Sequence, residues 1–402
     1  MIDQSKLINL NSDEFNSNKF TWYEQIREDL PVHQAKMSII KVFTIARYDD
    51  CTAILKDPRV LRNRSTITGG SRFPFPMPKA IKPIAESMIV EDDPNHRRLR
   101  ELVRRAFRPQ AIEVLETKID QYSNELLDGL PLKKEFDLQS DYALAIPMRM
   151  IADMMGLSRE AIPQFKEMFS TLTKGFGGWR ILRTLFWDMP DTVRFVRELI
   201  RQKRDNPGDD ILTGLIEADA EGDRLTEDEI VAMVFLLIVG GYETTVHLIT
   251  NGVLTLLENP EQLARLRDNP ELINSAVEEI LRHRGPVQST KPGYAAEDIQ
   301  LHGVTIPKGK PIMPLFGAAN HDPRAFENPL VFDIGRTPNR HLGFGHGAHF
   351  CLGAHLARAE ARFGILNLVR RFPNLQLAGD SASLKLQNMP GWHRYDGLPV
   401  KI

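Results

Sequence analysis

The chain has 402 residues, 42% of them hydrophobic and 26% charged, with a formal net charge of −2 at pH 7. That length can bury a large core, and the charge balance excludes the strongly basic footprint of a nucleic-acid binder. Two cysteines, Cys51 and Cys351, are too few for a disulfide framework or a tetrahedral zinc site, and they fit reduced thiols in a cytoplasm.

The opening residues are polar and acidic, without the basic start and apolar stretch of a signal peptide. No apolar run reaches about 18 residues, so we expect a cytoplasmic protein without a membrane anchor. Apolar–polar alternation over 42–48 predicts a strand. The stretch DPNHRRLRELVRRAFRP (93–109) predicts a helix with Pro94 at its start. His96 and Arg100 stand four apart on one face, and Arg97, Arg98, Arg104, Arg105 and Arg108 crowd the rest. This reads as a solvated basic helix. The alternative is an anion site, with His96 and Arg100 turned inward and the other arginines offered to an acidic partner.

Thr226 and Glu229 form a capping box, and Asn259-Pro260 a stop. Between them the sequence predicts a helix roughly 50 Å long. Its middle is apolar on nearly all faces and must cross the core. Yet the centre reads GGYETT (240–245). Gly240 and Gly241 each cost about 1 kcal/mol against alanine and loosen the hydrogen-bond ladder, so a kink with a polar notch is expected. Glu243 and Thr244 are then either a satisfied polar cluster or a notch for water or oxygen beside a proton source.

Glu279 and Arg282, three apart near a helix end at Gly285-Pro286, read by themselves as a surface ion pair. Residues 298–307 and 309–316 predict a β-meander with Gly303 and Gly309 at its turns. No linker or repeat divides the chain, so a mostly α protein built as one unit is expected.

Next comes FGHGAHFCLG (344–353), followed by a clear helical pattern. A thiolate at a helix N-terminus gains from unpaired N–H groups and the helix dipole. Glycines let backbone approach a flat ligand closely, and Phe344 could wall it. With no second cysteine nearby, Cys351 suits a metal that takes one axial sulfur ligand, and haem iron takes that ligand.

Phe344, Gly347, His349, Cys351 and Gly353 fit F-x-x-G-x-[RH]-x-C-x-G, and here the chain resembles the cytochrome P450 superfamily. Residues 240–245 resemble its [AG]-G-x-[DE]-T-T, Glu279 and Arg282 its E-x-x-R, and His96 and Arg100 its H-x-x-x-R. Asn320, Asp322, Pro323, Phe326, Pro329, Phe332 and Arg336 look like its meander. The likeness covers nearly the whole chain and is to the soluble bacterial class.

The resemblance implies a mainly α fold with small β-sheets, one cytochrome P450 domain over residues 1–402. Haem b would lie between the long central helix and the helix after the cysteine loop. The implied activity is that of a haem-thiolate monooxygenase, placing one oxygen atom of O2 into a hydrophobic small molecule by hydroxylation or epoxidation. Cys351 would be the iron ligand, in a haem-binding loop with Phe344 and Gly353. His96, Arg100 and His349 would hold the propionates, with His341 a weaker candidate. Glu243 and Thr244 would deliver protons, and Glu279, Arg282 and Arg336 would lock the haem-binding core. Phe75, Met88, Ile89, Phe176, Val239, Gly240, Val287 and Met389 would line the substrate pocket. Electrons would come from a ferredoxin or flavodoxin with its NAD(P)H-dependent reductase, docking on a basic face that includes Arg358 and Arg362. Neither nucleic acid nor membrane is an expected partner, and the expected state is a monomer.

One departure stands out. Where the family usually places a propionate-binding arginine, this chain has Gly293, so Lys291 or Tyr294 is expected to compensate. Two other readings rank lower: a thiolate-haem catalyst of peroxide use, coupling or rearrangement, and a haem sensor or carrier. The polar notch at Glu243-Thr244 has no use in the last.

Overall fold

The computed structural model describes residues 7–402 apart from 71–81, 107–108, 131–134, 159, 163–164, 166, 168–186 and 221. The chain forms two compact units, one of residues 1–70, 120–145 and 244–402, the other of 71–119 and 146–243.

The first unit is organised by a six-stranded mixed sheet. Val32–Met37 and Ile40–Ile45 pair antiparallel, and Ile8–Asn9 joins the outer side in parallel. Pro311–Pro314 lies parallel to Ile40–Ile45, then Gly293–Ala295 and Val60–Leu61 close the order. Successive side chains on a strand face opposite ways, and both faces here are covered. Val32, Phe43, Ile45 and Ile312 enter one apolar cluster with Cys51 and Ile54. Ala35, Val42 and Met313 enter another with Phe15, Tyr23 and Ile26.

The expected meander is half right. Ile299–Leu301 and Val304–Ile306 do form a hairpin. Its two turn residues, His302 (φ 49°) and Gly303 (φ 74°), have the positive φ that tight hairpins demand. The following strand leaves them, because its ladder groups are taken by Ile40–Ile45 and Gly293–Ala295. The sheet is therefore larger than the alternation in the sequence suggested.

The central helix runs from Glu227 to Glu258 without a break. The capping box forms as expected: Thr226 N–H donates to Glu229 Oε2 at 2.8 Å and Glu229 N–H to Thr226 Oγ1 at 3.2 Å. The glycine pair does not interrupt the helix, since its neighbours pack firmly; Ile230, Val231, Val234, Ile238, Leu248 and Ile249 are all buried. The helix is long and apolar enough to cross a membrane, but most of its apolar window is buried inside the protein.

Glu279 and Arg282 are not on the surface. Both side chains are 0% exposed, on helix Ile273–Arg284, and they pair at 2.7 and 2.8 Å. A buried charge pair survives only if its remaining donors and acceptors are also satisfied. Here they are. Arg282 also donates to the carbonyls of Asn320, Pro329 and Val331. Glu279 also accepts from Arg336 Nε, Asp333 N–H and Asn339 Nδ2. Arg336 in turn donates to the Glu327, Asn328 and Val331 carbonyls. The pair is thus a clamp that fixes residues 320–339.

In the second unit, helix Ile211–Glu217 packs on Asn95–Ala106 and on Met189–Asp205. A Cβ at Gly214 would lie 3.4 Å from the Ala106 side chain, so the glycine permits the close approach. Lys203 and Asp210, both largely buried, pair at 2.5 Å.

Arg282→Lys removes the planar fork that serves a carboxylate and three carbonyls at once. Lysine keeps the charge beside Glu279, but its three donors cannot meet all five buried acceptors, and we expect a loss of about 2–4 kcal/mol from those left unmet. Urea denaturation of this variant beside the surface variant Arg194→Lys checks it, and a loss below about 1 kcal/mol would assign the clamp no structural weight.

Candidate functional site

In the first unit the clamp leads directly into the cysteine loop. Asn320, whose carbonyl Arg282 holds, accepts the Leu342 N–H on its Oδ1 at 2.8 Å. Gly345 N–H then donates to Leu342 O, Phe350 N–H to Gly347 O, and Cys351 N–H to Phe344 O at 2.9 Å. Gly345 and Gly347 have φ of 73° and 74°, and a Cβ at Gly347 would meet the Leu55 carbonyl oxygen at 2.7 Å. Only glycine fits there.

Gly353 is the N-cap of helix Ala354–Arg371 and brings no side chain to cap its first N–H groups. Cys351 is half-buried at that mouth and in no disulfide. A Cβ on Gly353 would meet nothing within 4 Å. Cys51 is the opposite case: wholly buried, its thiol donates to the Ile45 carbonyl, and burial pushes its pKa up. Among the described residues no group of three or more His, Cys, Asp or Glu is arranged to hold a metal ion. A reduced cysteine at a helix mouth, with open space at Gly353 two residues on, fits haem b, which needs one axial ligand from the protein.

His349 is half-buried in the single helical turn Gly347–His349. His341 is engaged elsewhere: Nε2 bonds Glu278 Oε2 at 3.0 Å and Nδ1 accepts the Gly343 N–H at 3.0 Å. No ring nitrogen remains for a propionate, and this corrects the sequence expectation. Phe344 lies 6.2 Å from Phe350, with the Arg358 guanidinium 4.5 Å over its ring.

In the second unit His96 is buried on helix Asn95–Ala106, with Nδ1 3.6 Å from Asp93. Burial and then the Arg100 charge lower its pKa, which leaves it neutral at pH 7. The neighbouring arginines are less available than the sequence implied. Arg98 pairs with Asp223 and Glu229, Arg97 with Asp93, and Arg104 and Arg105 with Glu101. In the first unit Arg358 pairs with Glu278 at 2.6 Å and Arg362 reaches Asn274. Arg108 lies outside the described residues.

At Gly293 a Cβ would stand 2.5 Å from a Val60 methyl, so an arginine there would have to push the Val60 side chain aside. Lys291 is exposed and Tyr294 half-buried. The sequence reading missed two cations here: Arg62 donates to the Lys291 carbonyl and to Thr290, and the Arg64 charge is felt by Tyr294.

On the central helix Val239 is half-buried and Gly240 exposed, within a half-buried stretch between two buried ones. A Cβ on Gly240 would meet nothing within 4 Å, so open space lies beside it. Of the other proposed lining residues, Met88 is buried, Ile89 is exposed, and Val287 bridges to Trp392, whose N–H donates to Met389 O at 3.2 Å. Phe75 and Phe176 lie outside the described residues.

Glu243 and Thr244 are both half-buried, and Thr245 is buried. The Thr245 side chain hydrogen-bonds Glu360 on the helix after the cysteine loop. Glu360 is 3% exposed, and burial raises its pKa to about 8, so it is a neutral acid at pH 7. Sequence reasoning passed over it, because a lone glutamate in AHLARAEARF looks like a solvated helix residue. The unfolded chain ionises this group first. Stability is therefore full below the 4.5 of an ordinary glutamate and falls as pH rises to about 8. Glu360→Gln removes that slope, and denaturation midpoints across this pH range, unchanged in slope, would show Glu360 to be ordinary.

The "Cytochrome P450" family model matches residues 132–389. The polyketide biosynthesis cytochrome P450 PksS of Bacillus subtilis is 34% identical over 97% of each chain. The vitamin D(3) 25-hydroxylase of Pseudonocardia autotrophica is 37% identical over 89% of this chain and 87% of that one. The solved structure of P450BioI with hexadec-9Z-enoic acid ligated acyl carrier protein superposes with a TM-score of 0.87 at 36% identity, covering 97% of this chain and all of that one. With a reduced cysteine at the mouth of a helix, behind a glycine-shaped loop hung from a buried ion-pair clamp, the chain belongs to the cytochrome P450 family and is a haem b-dependent monooxygenase of small molecules.

Proposed function

We propose that the whole chain is one catalytic domain in which Cys351 is the axial ligand and Glu243 and Thr244 deliver protons, acting on a large hydrophobic substrate. The observation that carries this reading is Cys351, held by its N–H to Phe344 O at the mouth of helix Ala354–Arg371. Haem, when bound, supplies the chemistry that puts one oxygen atom of O2 into the substrate and releases the other as water, consuming two electrons and two protons.

The chain's own groups divide the remaining work. The N–H groups after Cys351 lie at a helix N-terminus and temper the thiolate's charge. His96, Arg100 and His349 offer cations or donors to propionates. Arg62 or Arg64, with Lys291 or Tyr294, takes the role that Gly293 vacates. The Thr244 hydroxyl holds a proton-bearing water, and the Glu243 carboxylate links it to solvent.

The substrate side is apolar. Ile89, Val239, Val287 and Met389 keep exposed or half-buried carbon surface, and Gly240 leaves room on the central helix. The relatives' names span polyketide biosynthesis, an acyl-carrier-bound fatty acid and vitamin D(3). A hydrophobic molecule of that size suits this chain too. Electrons come from a ferredoxin or flavodoxin with its reductase, in the cytoplasm, to a monomeric enzyme. Its acidic surface meets Arg97 and Arg104, whose side chains are 81% and 73% exposed and whose partners are surface carboxylates.

The dithionite-reduced protein with carbon monoxide should show a Soret band strongly red-shifted from that of histidine-ligated haems. Cys351→His should move the band to the histidine position, and an unmoved band would remove Cys351 as the ligand. In the loaded enzyme Thr244→Ala should divert reducing equivalents from product to peroxide by about tenfold or more. Unchanged coupling would favour the peroxide-using alternative.

A further inference from the structure

The central helix carries more polar groups than the distal pair. Thr244, His247 and Asn251 follow at i, i+3 and i+7, so they share one face. Asn251 is wholly buried, and its Nδ2 donates to the Arg284 carbonyl at 3.1 Å and the His393 carbonyl at 2.9 Å. Two carbonyl partners fix which end is the amide nitrogen. Oδ1 is then left with no hydrogen-bond partner.

The groups around it share the condition. His393 is 3% exposed, and neither ring nitrogen has a partner. Its backbone N–H is tied to Pro286 O at 2.8 Å, and its ring is wedged between Phe20 and Tyr395, both 5.4 Å away. His247 Nδ1, His283 Nδ1 and Gln288 Oε1 are likewise buried without partners. His321 differs: it packs 5.4 Å from His283, but its Nδ1 is bonded to Gly317 O. Six unpartnered polar atoms therefore sit on five residues of one neighbourhood. Proteins seldom leave such atoms dry, and buried water with two to four polar partners is the usual remedy.

We propose that His247, Asn251, His283, Gln288 and His393 wall a file of buried water that starts one helical turn beyond Thr244 and feeds protons to its hydroxyl, with His247 as the positioning residue nearest to it. The proposal rests on the reading of Thr244 as a proton donor.

The charges fit relay, not storage. Burial lowers the pKa of His247 to about 3 and of His283 to about 2, and it holds that of His393 well below the ordinary value. Lys19, Arg284, His283 and His247 add to the shift at His393, and Arg394 does so at His247. Each ring is thus neutral at pH 7, with one donor and one acceptor nitrogen. A neutral ring takes a proton at one nitrogen and releases another from its other nitrogen, ending neutral as the opposite tautomer. Beside His393, Lys19 donates to Trp392 O at 2.6 Å, and burial lowers its pKa to about 8, so it exchanges protons near neutrality. Arg284 leads outward to the partly exposed Glu258.

Two measurements on the haem-loaded protein test this. A high-resolution crystal structure should show waters bonded to Asn251 Oδ1 and to the His247 and His393 nitrogens. Those atoms packed dry against carbon would overturn the proposal. With a surrogate ferredoxin and reductase, His247→Phe should cut the share of electrons reaching product about five- to tenfold, the effect of one lost hydrogen bond, and enlarge the H2O/D2O rate ratio. His247→Gln, which keeps a donor and an acceptor, should restore most of both. If Thr244→Ala uncouples while both His247 variants match the parent, the file does not serve Thr244 and the distal pair stands. If Thr244→Ala stays coupled, the distal reading falls and the proton supply falls with it.

Discussion

The site depends on a pair of charges with no access to water. Glu279 and Arg282 stand three positions apart on one helix and are both fully buried. Such a pair is tolerable only when every remaining lone pair and proton is met. Three backbone carbonyls, Arg336, Asn339 and one backbone N–H meet them, and all come from residues 320–339. The need to satisfy those groups folds an otherwise irregular stretch into one shape. Asn320 then passes that shape to Leu342, and so to the turn that presents Cys351.

That constraint sets how the chain enters the loop, and the loop's glycines set its turn. Gly345 and Gly347 turn the chain in a conformation closed to side chains, and three backbone hydrogen bonds finish it. No side chain caps the next helix at Gly353, and the first N–H groups of a helix have no intrahelical partner. Cys51 shows that burial alone gives an inert thiol, since its sulfur is consumed by a backbone carbonyl.

The central helix carries a second kind of organisation. Its apolar residues hold it in the core, and its polar residues are concentrated where they can touch water or one another. Thr245 meets a protonated Glu360, while Asn251 donates to the His393 backbone carbonyl and burial holds His247 neutral. Neutral, buried, hydrogen-bonding groups pass protons without the desolvation cost of a fixed ion. That is a consistent setting for a reaction that consumes protons away from bulk solvent.

Much of this was written in local sequence. The capping box at Thr226 and Glu229, the hairpin turn at His302-Gly303 and the helix after Cys351 each depend on residues a few positions apart, and each forms as read. The spacing of Phe344, Gly347, His349, Cys351 and Gly353 was enough to name the family. What sequence could not decide was which polar groups are buried and whom they meet. Glu279 and Arg282 look like a surface pair until residues 320–339 cover them. His341 looks available until Glu278 and Gly343 take both its nitrogens. Arg98 looks like part of a docking face until Asp223 and Glu229, far along the chain, engage it. Local pattern is set by backbone geometry over one or two turns. Desolvation and pairing are set by contacts across hundreds of residues, and only the tertiary structure supplies those.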